Sequence, residues 1–250
     1  GNLWQAAESG VLGPIESGVL NKNVPAHLRD PDNRWFGLSI RARTIVYSTD
    51  RVKPEDLTSY EDLADPKWKG RLCLRTSKKV YNQSLVAMII AHHGQEKTRQ
   101  IIEGWVANLA TQPFSNDTKT MQAIAAGQCD VGIINTYYFG RLQKQDPDIK
   151  LALFWPNQDS TGVHVNISGA GITKNAKSRD TAIKLLEWLS SEEAQQKFAA
   201  LNMEYPVNPA VDPDASVSAW GDFKGDDLNV AQAGKLQTQA VKLMDRAGYR

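Results

Sequence analysis

The sequence predicts an α/β protein of two lobes, joined by extended crossover strands that form a hinge. Three observations carry that prediction. Strand-like apolar runs alternate with helical patterns along most of the chain, the mark of an α/β architecture with largely parallel sheets. Two long strand patterns, at 36–47 and 164–173, bracket a segment that reads as a self-contained lobe. A chain of 250 residues is also long enough to bury two modest cores. The first lobe is accordingly placed at 1–46 and 166–221. The second is placed at 47–165, with a carboxyl-terminal helix within 222–250 packing on it. Two lobes joined in this way enclose a cleft, where ligands usually sit.

Taken in order, 3–9 reads as a short helix closed by Gly10, and 21–34 as a polar loop rich in turn residues. The stretch "WFGLSIRARTIVYST", 35–49, alternates as one long strand. Arg41 and Arg43 share a face of it, because strand side chains repeat every two residues. "TSYEDLADPKWKG", 58–70, opens on Thr58 or Ser59 as a helix cap and stops at Asp65-Pro66. "RLCLR", 71–75, is a short strand. Helices follow at 82–93 and 95–109, with Leu85, Met88 and Ile89, then Ile101, Ile102, Trp105 and Leu109, at helical spacing. "NDTKTMQAIAAGQ" is a capped helix stopped by Gly127. "CDVGII", 129–134, is a buried strand, and a helix runs from near Thr136 to Gln145. Further strands at 149–155 and 164–173 lead to a helix pair, a proline-punctuated loop and a last helix near 228–247.

Composition narrows the function classes. With 41% hydrophobic and 23% charged residues, the chain has the balance of an ordinary globular protein. A formal net charge of +1 gives no basic face for capturing nucleic acid, and the seven tryptophans form no stacking array. The longest apolar run, "SLVAMIIA" at 84–91, is too short to span a membrane. The opening "GNLWQAAESGVL" reads as the middle of a fold without a signal peptide, so the expectation is a mature fragment whose beginning is absent. No G-x-S-x-G, P-loop, H-E-x-x-H or G-x-G-x-x-G motif occurs, which favours a binding module over an enzyme.

The chemistry concentrates in "VGIINTYYFGRL", 131–142. Tyr137 and Tyr138 follow the end of a buried strand, with Arg141 close behind. On a strand, adjacent residues point to opposite faces; in the first turn of a helix they lie about 100° apart, and long phenol arms can close that angle. The carboxyl end of a parallel strand is also the usual ligand side of an α/β sheet. Tyr81, in "SKKVYNQSL", stands at the exit of strand 71–75 in the same way. Two strand exits can therefore bring three phenols to one rim. A free phenol has a pKa of about 10 and is neutral near pH 7. A hard, highly charged cation forces it to ionise, and three phenolates neutralise a trivalent ion. Softer metals prefer thiolate or imidazole. Arg41 and Arg43 are candidates to hold an anion or to favour the phenolates by nearby positive charge. Taken alone, a Tyr-Tyr pair is more often half-buried packing, and the two arginines more often a solvated strand face.

"WFGLSIRARTIVYSTDRV", "YEDLADPKWKGRL", "VYNQSLVAMII" and "CDVGIINTYYFGRL" together resemble the periplasmic ferric-ion-binding proteins of bacterial iron ABC transporters, in particular the cyanobacterial-type branch. The resemblance covers essentially the whole chain. "YEDLADPKWKG" is weakly diagnostic, whereas "NTYYFGRL" with "VYNQSL" is much more specific. It implies a class II periplasmic-binding-protein fold that closes on Fe(III), with Tyr81, Tyr137 and Tyr138 as ligands. It also implies a periplasmic monomer that delivers iron to permease subunits in the inner membrane. Family chains carry a further βαβ portion before "GNLW", so the first lobe is expected to be incomplete and one or two ligands to lie outside this sequence. Some members use a synergistic anion such as carbonate, for which Arg43, and then Arg41, are the candidates. The alternative is a binding protein for a small anion or organic solute held by Arg41 and Arg43. An enzyme using tyrosine as acid or base ranks third.

Other residues are weighed in the same terms. Cys73 and Cys129 sit in two strands that, if adjacent, allow a disulfide; two buried thiols are the other reading. A periplasmic location favours the bond. His92 and His93 end a helix, where a cation suits the helix dipole. His27 reads as a surface residue, His164 as the start of the return crossover, and Glu204 and Tyr205 as packing near the cleft rim.

Overall fold

The computed structural model describes residues 1–250. Its strands are β1 (Leu12–Gly13), β2 (Phe36–Ser48), β3 (Leu72–Cys73), β4 (Val131–Asn135), β5 (Leu151–Phe154), β6 (Val165–Ala170), β7 (Ile172–Thr173) and β8 (Tyr205–Pro206). Its helices are α1 (Asn2–Glu8), α2 (Gly18–Asn23), α3 (Val80–Asn108), α4 (Asp117–Ala125), α5 (Thr136–Gln145), α6 (Arg179–Leu189), α7 (Glu192–Asn202), α8 (Ala215–Ser218), α9 (Ala231–Lys235) and α10 (Gln237–Arg246). The chain divides into two compact units. One comprises Gly1–Arg41, Val165–Asp222 and Asp227–Lys235; the other comprises Ala42–His164, Phe223–Asp226 and Leu236–Arg250.

In the first unit, β1 pairs antiparallel with β7, while β6 and β8 both pair with β2. Ser39 and Ile40 face Pro206 and Tyr205 across the β2–β8 ladder. Glu204 is buried beside them and accepts the hydroxyl of Ser39, so "NMEYPV" is packed here rather than open. Leu20, Val24, Leu28, Trp35 and Phe36 fill the interior.

The second unit carries the sheet order β3-β4-β2-β5. Only β3–β4 is a parallel pair; β2 runs antiparallel to both β4 and β5. The expectation of largely parallel neighbours is corrected here, and the reason is topological. Helical crossovers hold β3, β4 and β5 in one direction, as βαβ connections do. The long strand β2 then lies between β4 and β5 in the opposite sense. Ile45, Val131, Ile133, Leu85, Ile102 and Trp105 anchor one core cluster, onto which Ala240, Leu243 and Met244 of α10 pack.

The two helices expected at 82–93 and 95–109 are both present within α3 and meet at a kink at Gly94, whose backbone (φ 76, ψ 171) only glycine adopts cheaply. Just before that kink, His92 bonds to Asp226 and His93 to Glu61, each at 2.8 Å. Several elements differ from their sequence patterns for local reasons. The capped helix expected at 58–70 is instead two 3-10 turns, Glu61–Ala64 and Pro66–Trp68. Pro66 holds Asp65 in extended backbone, and the Asp65 carboxylate caps Lys67. The last helix, expected near 228–247, is split into α9 and α10, and 227–235 belongs to the first unit rather than the second. Gly234 explains the attachment, since a Cβ there would lie 2.5 Å from the Cβ of Trp4 in α1. Cys73 and Cys129 form a disulfide with Cα atoms 5.9 Å apart.

Candidate metal centre

The site grows from two strand exits. β3 and β4 are parallel and in register at Leu72↔Val131 and Cys73↔Gly132, so their carboxyl ends leave the sheet at one edge. Each exit leads into a helix. Tyr81 is the second residue of α3, and Tyr137 is the second residue of α5. The same step from strand to helix is thus used twice, and it aims the phenols at one point.

The Tyr137 hydroxyl donates to the Tyr81 hydroxyl at 3.3 Å. The rings of Tyr137 and Tyr138 are 4.4 Å apart, centroid to centroid, and the Tyr138 phenol also hydrogen-bonds with that of Tyr137. Three phenol oxygens therefore meet. Tyr137 is buried, whereas Tyr81 and Tyr138 are half-buried. Burial raises the Tyr137 pKa far above its ordinary value; the hydroxyls of Tyr81 and Tyr138 add to the rise, and the Asn135 amide, 3.5 Å away, opposes it. The Tyr137 phenol accordingly stays protonated near neutral pH until something strongly positive displaces its proton.

Cations flank the rings. The Arg75 guanidinium lies 4.9 Å from the Tyr81 ring centre and 5.9 Å from that of Tyr138, and Arg141 lies 5.1 Å from that of Tyr137.

Behind the phenols is a buried polar network. Arg43 is 2% exposed and donates through Nε to Asn82 Oδ1 at 2.9 Å and through its terminal nitrogens to Asp117, to Asn135 Oδ1 and to the Ile133 carbonyl. The Asn82 amide donates to the carbonyls of Arg75 and Thr76 and to the Tyr249 hydroxyl. Tyr249 in turn donates to the Arg75 carbonyl at 2.6 Å. Asn82 thus ties the β3 exit to the start of α3, and Arg43 links Asn82 to Asn135 at the β4 exit.

Of the residues singled out in the sequence, the structure brings Tyr81, Tyr137 and Tyr138 together. Arg43 stands behind them with its guanidinium engaged by the chain itself. Arg41 belongs to the other unit, where it donates to Ser168 Oγ at 3.0 Å. Arg75, Asn82, Asp117, Asn135 and Tyr249 are additions from the structure. Asn82 and Asn135 adjoin the tyrosine motifs and were legible as neighbours; nothing in the sequence marks Asp117. No group of three or more His, Cys, Asp or Glu side chains is placed to hold a metal ion. What the arrangement offers a cation is hard phenol oxygen, suited to a small trivalent ion.

Residues 3–224 match the family of bacterial extracellular solute-binding proteins. The chain belongs to that family. It is 48% identical over 258 residues to iron uptake protein A2 of a Synechocystis strain, a match covering 100% of this chain and 75% of that protein. A Trichodesmium protein (IdiA, or FutA), solved in complex with iron and citrate ligands, superposes with a TM-score of 0.96 at 46% identity, covering 99% of this chain and 80% of that one. Ferric iron-binding protein A of Mannheimia haemolytica, solved in an open conformation, superposes with a TM-score of 0.95 at 40% identity, covering 99% and 80%. The two-lobed α/β class expected from the sequence is the class of these family members.

Proposed function

We propose that this chain is an extracytoplasmic carrier of Fe(III), which it takes as cargo on the phenolates of Tyr81, Tyr137 and Tyr138. The observation that carries the proposal is the meeting of three phenol oxygens, Tyr137 and Tyr81 at 3.3 Å, with arginines over their rings. Three anionic oxygens balance the charge of Fe(III), which supports ferric over ferrous iron. An oxygen anion such as carbonate, or the citrate found with iron in the Trichodesmium relative, fits the positions that three phenolates leave open. The family supports a periplasmic carrier that hands its cargo to the permease of an ABC transporter. Acid reprotonates phenolates, so a fall in pH favours release.

Arg43 serves this reading as a support for the ligand-bearing helices. The alternative, a small-anion carrier using Arg41 and Arg43, is disfavoured because the Arg43 guanidinium is buried and already donates to four groups. Nothing in the site calls for turnover, and the reading is of binding without catalysis.

The test is optical. Phenolate-to-iron charge transfer absorbs visible light, so the protein loaded with ferric citrate is expected to be coloured. The Tyr137→Phe/Tyr138→Phe variant should fold and be colourless. Colourless wild type under the same loading overturns the proposal.

A further inference from the structure

Asp117 sits at the first position of α4, after the cap residue Asn116, and yet it is completely buried. A carboxylate in that state needs several strong partners. It has three: the backbone N–H of Asn135 at 2.9 Å, Arg43 Nη1 at 3.1 Å and Arg75 Nη1 at 3.5 Å. Each partner leads to a tyrosine. Asn135 is two residues before Tyr137, and its side chain reaches that hydroxyl. Arg75 covers the rings of Tyr81 and Tyr138. Arg43 reaches Asn82, the neighbour of Tyr81. Asp117 is therefore the carboxylate shared by the two buried guanidinia and the β4 exit.

We infer that Asp117 is a positioning residue for metal capture: it fixes Arg43, Arg75 and the Asn135 backbone so that the three phenol oxygens are held converged before the ion arrives. The inference rests on the ferric reading of the site and deepens it. Its physical basis is preorganisation. Without a shared anion, Arg43 and Arg75 repel each other, the guanidinium over Tyr81 and Tyr138 loses its tether, and the end of β4, where α5 begins, loses its bond to α4. Capture would then have to order the phenols at the moment of binding. The Nε of Arg75 has no hydrogen-bond partner, so the Asp117 contact is a main constraint on where that side chain lies.

The experiment compares wild type, Asp117→Asn and Arg43→Gln/Asp117→Asn. Asparagine keeps shape and one acceptor oxygen and removes the charge; the double variant also removes the cation that would be left unpaired. Iron is supplied as ferric citrate, and affinity is read by competition against excess citrate, well below the melting temperature of each protein. Loss of a residue that orients metal ligands typically costs about 10- to 100-fold in affinity. That loss is expected here in whichever variant folds, together with a shifted charge-transfer maximum, which a change in global stability alone would not produce. Unchanged affinity and an unchanged band in a folded variant overturn the inference and leave the ferric reading standing. Wild type that neither colours nor binds overturns both.

Discussion

Removing the Cys73–Cys129 bond tests how the sheet that carries the site is held. The cystine joins β3 to a residue two positions ahead of β4, the two strands whose exits deliver the phenols. Its half-cystines are 56 residues apart in sequence. For a loop of that length, the entropy the crosslink removes from the unfolded chain amounts to about 4 kcal/mol at 25 °C. The folded state should lose little, because β3 and β4 remain paired by their own ladder. The assay is urea unfolding followed by tryptophan fluorescence, with Trp68 and Trp105 buried in the core of this unit. Cys73→Ala/Cys129→Ala and the reduced wild type should both lose about 4 kcal/mol. In the absence of denaturant both should still take up iron colour. A loss below about 1 kcal/mol would refute the loop-entropy reasoning, which sets a far larger effect. Loss of colour in a fully folded variant would show instead that the bond shapes the site directly.

Three further outcomes follow from buried groups. Arg43→Ala strands the Asp117 carboxylate with only Arg75, at 3.5 Å, as its remaining cation. Breaking a buried pair in this way costs about 3–5 kcal/mol, measurable as lost unfolding free energy. Gly104→Val drives a side chain into Ala64, whose Cβ would lie 2.5 Å from a Cβ at position 104. Overpacking of this kind costs about 1–3 kcal/mol and should lower the urea midpoint. Burial raises the phenol pKa values of Tyr60, Tyr137 and Tyr249 in the folded protein. The unfolded chain ionises its phenols near about pH 10 while the folded chain keeps these neutral, so stability is full below that pH and falls as pH rises above it. Urea midpoints at about pH 8 and about pH 11 should show the drop.

The sequence carried the phenol triad because a strand exit followed by a helix is a local pattern. "VYN" and "NTYY" each put tyrosine in the first turn of a helix, and the parallel pairing of β3 and β4 does the rest. Strand direction was less visible. Alternation of strands and helices reports that β3, β4 and β5 run together, but it says nothing of a long strand lying between two of them in the opposite sense. Asp117 was hidden for a different reason. In "NDTKT" it looks like an ordinary acidic residue in a first helical turn, and its burial depends on two arginines 42 and 74 residues away. Arg43 misled in the same way. On a strand pattern it pairs with Arg41 on one face, whereas its guanidinium is spent inside the second unit. Pairwise burial of charge is set by tertiary contact, and spacing along the chain does not encode it.

The proposed capture of Fe(III) by the phenolates of Tyr81, Tyr137 and Tyr138 is open to one direct measurement. Resonance Raman spectra of the iron-loaded protein, excited in its visible band, interrogate those bonds directly. The expected spectrum is dominated by tyrosinate modes that shift when the chain is made with ring-deuterated tyrosine and that weaken in Tyr81→Phe. A loaded protein whose spectrum lacks tyrosinate modes, or is unchanged in Tyr81→Phe, contradicts the account.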